Sequence, residues 1–168
     1  FDSLQGDVEF IHILEKMGCT AKDTENGILL IPPATGQYQG IIVDMSACSD
    51  QAITLAAIAP FAQTPTTITG IGHIRFQESD RLKAIVTELG KMNIKCEAAE
   101  DSVTIYPGTP TPALVETYDD HRMAMGFSLI GLRSAGIVIN DPACCRKTFE
   151  NYFDVLTEVI RTITSVPN

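Results

Sequence analysis

The sequence predicts an α/β (α+β) domain in which helices cover mixed sheets built from repeated βαβαββ units. Three observations carry this prediction. Short β-branched or apolar runs alternate with longer segments whose apolar residues recur every three or four positions. One order of elements (strand, helix, strand, helix, strand, strand) returns along the chain. The composition is that of an ordinary globular domain, 45% hydrophobic and 20% charged over 168 residues, long enough to bury a core.

Val8, Phe10, Ile11, Leu14 and Met17 predict an amphipathic helix over residues 7–17, stopped at Gly18. A strand over 19–23, a turn at Glu25-Asn26-Gly27 and a return strand over 28–31, closed by Pro32-Pro33, predict a hairpin. Residues 40–44, Gly-Ile-Ile-Val-Asp, read as a buried strand. An alanine-rich helix is expected over 50–62, ended or kinked by Pro60, and a β-branched strand over 66–69. A helix over 80–92 follows, with Ser79 as its cap, then strands near 95–99 and 103–106. Past a Pro/Thr-rich loop come a strand over 114–117, a helix over 120–133, a strand over 137–139 and a last helix over 149–160. Residues 164–168 read as a frayed tail, and the first seven residues as the interior of a longer protein.

Residues 13–19 (Ile-Leu-Glu-Lys-Met-Gly-Cys) resemble residues 88–94 (Glu-Leu-Gly-Lys-Met-Asn-Ile), and each stretch precedes a two-strand turn ending in proline. The chain therefore reads as the second half of one unit, a complete unit over 40–106, and most of a third. The repeat aligns polar groups at helix starts: Asp50, Glu78 to Arg81, Asp120 to Arg122, and Arg146-Lys147. Helix starts present unsatisfied N–H groups and partial positive charge, so four of them on one face would make a site for an anion.

A net charge of −9 argues against a broad surface for nucleic acid or anionic membrane, while leaving room for a small anion held by a few converging cations. The five cysteines lack C-x-x-C pairing and are odd in number, which indicates neither a disulfide framework nor a zinc site and fits a reducing, cytoplasmic setting. No apolar run reaches membrane-spanning length, and residues 1–20 lack the pattern of a secretion signal.

Each polar cluster admits a structural and a functional reading. Asp50 is a helix cap or a general base. Glu78 is a surface ion pair with Arg81 or a proton donor whose pKa burial would raise. Asp120-His121-Arg122 opens a helix whose body is almost wholly apolar, so the arginine there is paired with Asp120 or used on a ligand. Arg146-Lys147 is a solvated turn or part of an anion site, and vicinal Cys144-Cys145 is a pair of inert thiols or a redox element.

Taken together, Arg-Phe-Gln-Glu-Ser-Asp-Arg (75–81), Tyr-Asp-Asp-His-Arg-Met-Ala-Met (118–125) and Asp-Pro-Ala-Cys-Cys-Arg-Lys-Thr-Phe-Glu-Asn-Tyr-Phe (141–153) resemble the signatures of the 5-enolpyruvylshikimate-3-phosphate synthase family, in order and spacing, across nearly the whole chain. The resemblance implies the fold of an enolpyruvyl transferase, with residues 1–168 as part of the C-terminal domain of a two-domain protein. It implies transfer of the enolpyruvyl group of phosphoenolpyruvate to the 5-hydroxyl of shikimate 3-phosphate, without metal or redox cofactor, in partnership with the N-terminal portion of the same protein. By the same resemblance Asp50 deprotonates that hydroxyl, and Glu78 protonates the phosphoenolpyruvate methylene and later takes a proton back. Arg81, Arg122 and Lys147 bind phosphoenolpyruvate, Lys147 also assisting the departing phosphate, and Asp120 and His121 orient the cluster. By the same resemblance Gln77 and His73 are substrate-binding positions that depart from the family pattern: Gln77 stands where a lysine contacting the acceptor and the reacting centre is usual, so that a hydrogen bond is kept and a charge lost, and His73 where an asparagine is common. Two other readings remain open here, a transferase with another acceptor such as a UDP-sugar, against which the Asp-His-Arg-Met-Ala-Met stretch argues, and a non-catalytic binding domain of the same fold.

Overall fold

In the computed structural model, which describes residues 6–165, the first helix, α1 (Glu9–Lys16), turns Ile13 inward and places Met17 in the core just beyond its end. Gly18 stops it with a φ of +111°, a conformation open to glycine at no steric cost. The hairpin β1 (Thr20–Thr24) and β2 (Gly27–Ile31) follows, with Thr24 facing Gly27 across a two-residue turn.

The next six elements form one sheet and its helical cover: β3 (Ile42–Asp44), α2 (Ala52–Ile58), β4 (Thr66–Thr69), α3 (Arg81–Lys91), β5 (Cys96–Ala98) and β6 (Ser102–Ile105). The sheet order is β3-β4-β6-β5, parallel between β3 and β4 and antiparallel thereafter. Val43, Ile68 and Val103 share one register line and are buried, as the two-residue period of a strand requires. The buried strand expected over 40–44 is corrected in part: β3 lies at the sheet edge, only Val43 points inward, and Ile42 is 83% exposed.

Helix α2 is buried almost all round through Ala52, Ile53, Leu55, Ala56 and Ala57, and Pro60 falls in the tighter turn Ala59–Phe61 that ends it. Small residues on α2 let other helices approach closely: α3 packs on one side and α4 (His121–Ser128) on another. A Cβ added at Gly126 of α4 would lie 2.7 Å from Ile53 Cγ2, so the two helices touch where glycine leaves room. The strands β7 (Ala113–Val115) and β8 (Ile137–Ile139) flank α4 in sequence and pair in parallel, as β3 and β4 do around α2.

The helix expected over 120–133 is α-helical only to Ser128 and continues as a 3-10 turn to Leu132. The last helix, α5 (Tyr152–Ser165), starts three residues later than expected, because the Phe149 amide closes the preceding turn by donating to the Cys145 carbonyl at 2.9 Å. It carries through Thr164 and Ser165, two residues expected to fray; residues 166–168, like 1–5, lie outside the described residues. Among the described residues no helix is long and apolar enough to cross a membrane.

Candidate active site

The starts of α2, α3 and α4 converge on the guanidinium of Arg81, the first residue of α3. Asp80 caps that helix, its carboxylate accepting from the Lys83 amide at 3.0 Å, which corrects the expectation that Ser79 does so. The Ser79 hydroxyl instead donates to Asp120 Oδ2 at 3.0 Å. Asp120 is fully buried and caps α4 by accepting from the Arg122 amide at 2.9 Å. Its oxygens also take Nε and Nη2 of Arg81, at 2.7 and 3.2 Å, in the two-pronged geometry that a guanidinium offers a carboxylate. Burial pushes the Asp120 carboxyl up, but the hydrogen bonds and charge of Arg81, with the Arg122 amide and the Ser79 hydroxyl, outweigh it and hold the group below its ordinary value.

Outside this buried pair lies a second carboxylate. Asp50, in the turn Ser49–Gln51 that leads into α2, accepts from Arg81 Nη1 at 3.1 Å and from Arg122 Nη2 at 2.8 Å. Its side chain is 46% exposed, against 4% for Arg81 and none for Asp120. Gln77 completes the ring by accepting from Arg81 Nη1 through its side-chain oxygen. A lysine at that position would offer no acceptor and would set a second cation beside the guanidinium.

Glu78 does not pair with Arg81. Its carboxylate meets His121 Nδ1 at 3.1 Å, and it is about as exposed as Asp50. The two outer carboxylates thus stand in different company, one with two guanidiniums and one with an imidazole. His73 reaches the cluster through Ser49, at 2.8 Å from the hydroxyl beside Asp50. The structure therefore brings together Asp50, Gln77, Glu78, Arg81, Asp120, His121 and Arg122, with His73 at the rim. Lys147 is not bonded to the group: its ammonium lies 3.7 Å from Asp119 and is more than half exposed. Arg146 turns back to the Ala143 carbonyl, and Arg75 clamps the Ala99 and Glu100 carbonyls in the β5–β6 turn, so neither lines the site.

Glu78, Asp120 and His121 each bring a ligand atom within 4.8 Å of the others, the spacing a metal ion could use. Both Asp120 oxygens already accept from Arg81, so that trio offers a cation less than its spacing suggests. Cys144 and Cys145 are buried, and burial together with the neighbouring Cys144 pushes the Cys145 thiol up to about 12, which favours the inert-thiol reading of that pair. An apolar cavity of about 200 Å³, lined by Leu14, Met17, Pro33, Tyr38 and Ile58, lies at the other end of α2 from Asp50.

Sequence reasoning missed two participants. Glu88 is a fully buried carboxylate on the apolar face of α3, and it accepts from the Tyr118 hydroxyl at 2.6 Å. An acidic residue seven positions after Arg81, on the face that carries Leu82, Ile85 and Leu89, was the available signal. Tyr118 is 42% exposed, but its hydroxyl sits against the buried Glu88 carboxylate, and the loss of solvent there together with that hydrogen bond pushes the phenol up to about 12. Tyr118 and Asp119 both have positive φ, 58° and 53°, immediately before Asp120; an aspartate takes that conformation readily, but nothing about the tyrosine announces it.

A mixed sheet covered by helices is a fold this chain shares with solved enolpyruvyl transferases. The fold matches EPSP synthase from Acinetobacter baumannii with a TM-score of 0.76 and 25% identity, over 91% of this chain and 38% of that one. It also matches the enolpyruvyl transferase NikO from Streptomyces tendae, with a TM-score of 0.68 over 89% of this chain and 34% of that one; at 21% identity this is a likeness of fold. The family model for EPSP synthase (3-phosphoshikimate 1-carboxyvinyltransferase) matches residues 1–156, and the chain belongs to that family. Similar proteins named 3-phosphoshikimate 1-carboxyvinyltransferase include one from Nostoc punctiforme, 50% identical over 90% of this chain, and a chloroplastic one from Arabidopsis thaliana, 44% identical over 95%. The chain spans about a third of their length, 35% and 32% respectively.

Proposed function

We propose that this chain is the phosphoenolpyruvate-binding, C-terminal part of a 3-phosphoshikimate 1-carboxyvinyltransferase, with the complete unit over 40–106 at its centre. The observation that carries this reading is the presence of two accessible carboxylates, Asp50 and Glu78, on either side of a buried Arg81–Asp120 pair. The reaction needs an acid and a base on different atoms. Asp50 takes the proton of the shikimate 3-phosphate 5-hydroxyl as its oxygen attacks the central carbon of phosphoenolpyruvate, while Glu78, oriented by His121, delivers a proton to the methylene carbon. In the tetrahedral adduct that carbon, now a methyl, returns a proton to Glu78 as the central carbon's bond to the phosphate oxygen breaks, and the departing phosphate takes up the proton that Asp50 received, so both carboxyl groups regain their starting forms.

Arg122 and Lys147 present the cations for the anionic substrate, the first 29% exposed beside Asp50 and the second 58% exposed beside Asp119. Arg81 contributes from behind: four of its N–H groups already serve Asp120, Asp50 and Gln77, so it fixes the electrostatics of the pocket and meets the substrate at its rim. Such a charged site gains strength when a second domain closes over it and excludes water. The missing N-terminal portion is that partner, and it holds most of the shikimate 3-phosphate. The free thiols of all five cysteines suit a cytoplasmic setting.

The test uses the chain as it stands. Calorimetric titration with phosphoenolpyruvate is expected to show weak binding that Arg122→Ala abolishes, and a phosphate-release assay with both substrates is expected to show negligible turnover. Robust turnover by the 168 residues alone would overturn the assignment of the second half of the site to the missing portion. Binding that survives Arg122→Ala would overturn the assignment of this cluster to phosphoenolpyruvate.

A further inference from the structure

Glu88 has no exposure to solvent, a costly position for a carboxylate unless its oxygens are fully engaged. They are: Oε1 accepts from the Tyr118 hydroxyl at 2.6 Å, and Oε2 from the Glu116 amide at 3.1 Å and the Lys91 ammonium at 2.8 Å. Two of these three donors belong to the segment that feeds α4. That segment closes on itself where the Asp120 amide donates to the Thr117 carbonyl at 2.9 Å, and the two residues inside the turn, Tyr118 and Asp119, are both left-handed. A tyrosine adopts that conformation only when its surroundings impose it. Immediately after the turn come Asp120, His121 and Arg122.

Helix α3 therefore grips this segment twice along one face. Arg81 holds Asp120, and Glu88, seven residues and nearly two turns further on, holds Tyr118. With Tyr118 anchored, the turn can deliver the Asp120 carboxylate to Arg81 and the Arg122 guanidinium to Asp50 in one fixed arrangement. Without the anchor, the left-handed tyrosine would relax, and the register of the next three residues with it.

We propose that Glu88 and Tyr118 are positioning residues of the active site: the buried carboxylate holds the tyrosine in its left-handed turn and thereby sets Asp120, His121 and Arg122 against Arg81, Glu78 and Asp50. Only the ligand arm of its test rests on the functional reading above.

The experiment follows the Arg81 Nε–H proton by nuclear magnetic resonance in the 168-residue chain and titrates the same samples with phosphoenolpyruvate. Tyr118→Phe removes one hydroxyl that donates to a carboxylate, a loss that corresponds to about tenfold or more. Solvent exchange of the Arg81 proton should accelerate by that factor relative to the Ile85 amide in the middle of α3, and phosphoenolpyruvate affinity should fall comparably. Tyr118→Gly gives up the same hydroxyl but accepts positive φ freely, so its Arg81 proton should exchange more slowly than in Tyr118→Phe. An unchanged Arg81 proton in Tyr118→Phe, or greater damage from glycine than from phenylalanine, would overturn the proposal. If the exchange pattern is as expected but even the wild-type chain ignores phosphoenolpyruvate, the positioning role stands and the functional reading falls.

Discussion

Arg81 meets two aspartates of the same chemistry in opposite surroundings. Asp120 is sealed inside and accepts hydrogen bonds from a guanidinium, a backbone amide and a hydroxyl, and its pKa lies below the ordinary range. Asp50 stands at the rim with nearly half of its side chain in solvent, held by arginine N–H groups. The inner carboxylate is the frame that joins α3 to α4. The outer one is free to exchange partners, as the general base proposed above requires. Glu78 shares that outer layer, with His121 as its holder.

This contrast can be broken first at the frame. Asp120→Ala strips the buried guanidinium of its counter-charge and is expected to destabilise the chain by about 3–5 kcal/mol in denaturant unfolding. A loss below about 1 kcal/mol would place Asp120 in the same class as Asp50. Next in size is the contact that brings the two layers together, α2 against α4. Gly126→Ala would press a methyl into Ile53 Cγ2 at 2.7 Å and should cost about 1–3 kcal/mol, lifting Arg122 away from Asp50. Measured by the same unfolding, a neutral effect would show that the helices have slack.

Acid sharpens the comparison further. Because the folded Asp120 carboxyl titrates below its unfolded value of about 3.9, the stability it contributes is complete above that pH and drains away as the pH falls through the lower folded value. Unfolding midpoints between about pH 5 and 2 should therefore decline more steeply in the wild-type chain than in Asp120→Ala. Parallel slopes would mean that the buried pair does not dominate acid stability. Smallest of all is Asp50→Asn, an exposed position where the change should stay within about 1 kcal/mol.

Much of the frame was legible in the residues. The strands over 66–69 and 137–139 fall where β-branched runs put them, because branching suits the pleat. Pro60 ends the α2 region because it lacks an amide. The polar groups at three helix starts do converge, joined through the guanidiniums of Arg81 and Arg122. Local chemistry resolved less well. Ser79 and Asp80 are both good caps, and only the position of Asp120 decides that the serine is drawn elsewhere. Arg75 and Arg81 look alike in sequence, yet a long side chain goes where acceptors are, and those of Arg75 are turn carbonyls. The reach of Lys147 depends on the turn Pro142–Lys147, which sets it toward Asp119. Left-handed Tyr118 had no signal at all, because a tertiary hydrogen bond imposes it.

The central claim, that the exposed carboxylates do the chemistry while the buried pair holds them in place, is tested most directly by steady-state phosphate release in a protein of the relatives' full length that carries this chain. Asp50→Ala and Glu78→Gln should each lower turnover by about a hundredfold or more while leaving the unfolding midpoint nearly where it was. Near-normal turnover in either variant would contradict the account.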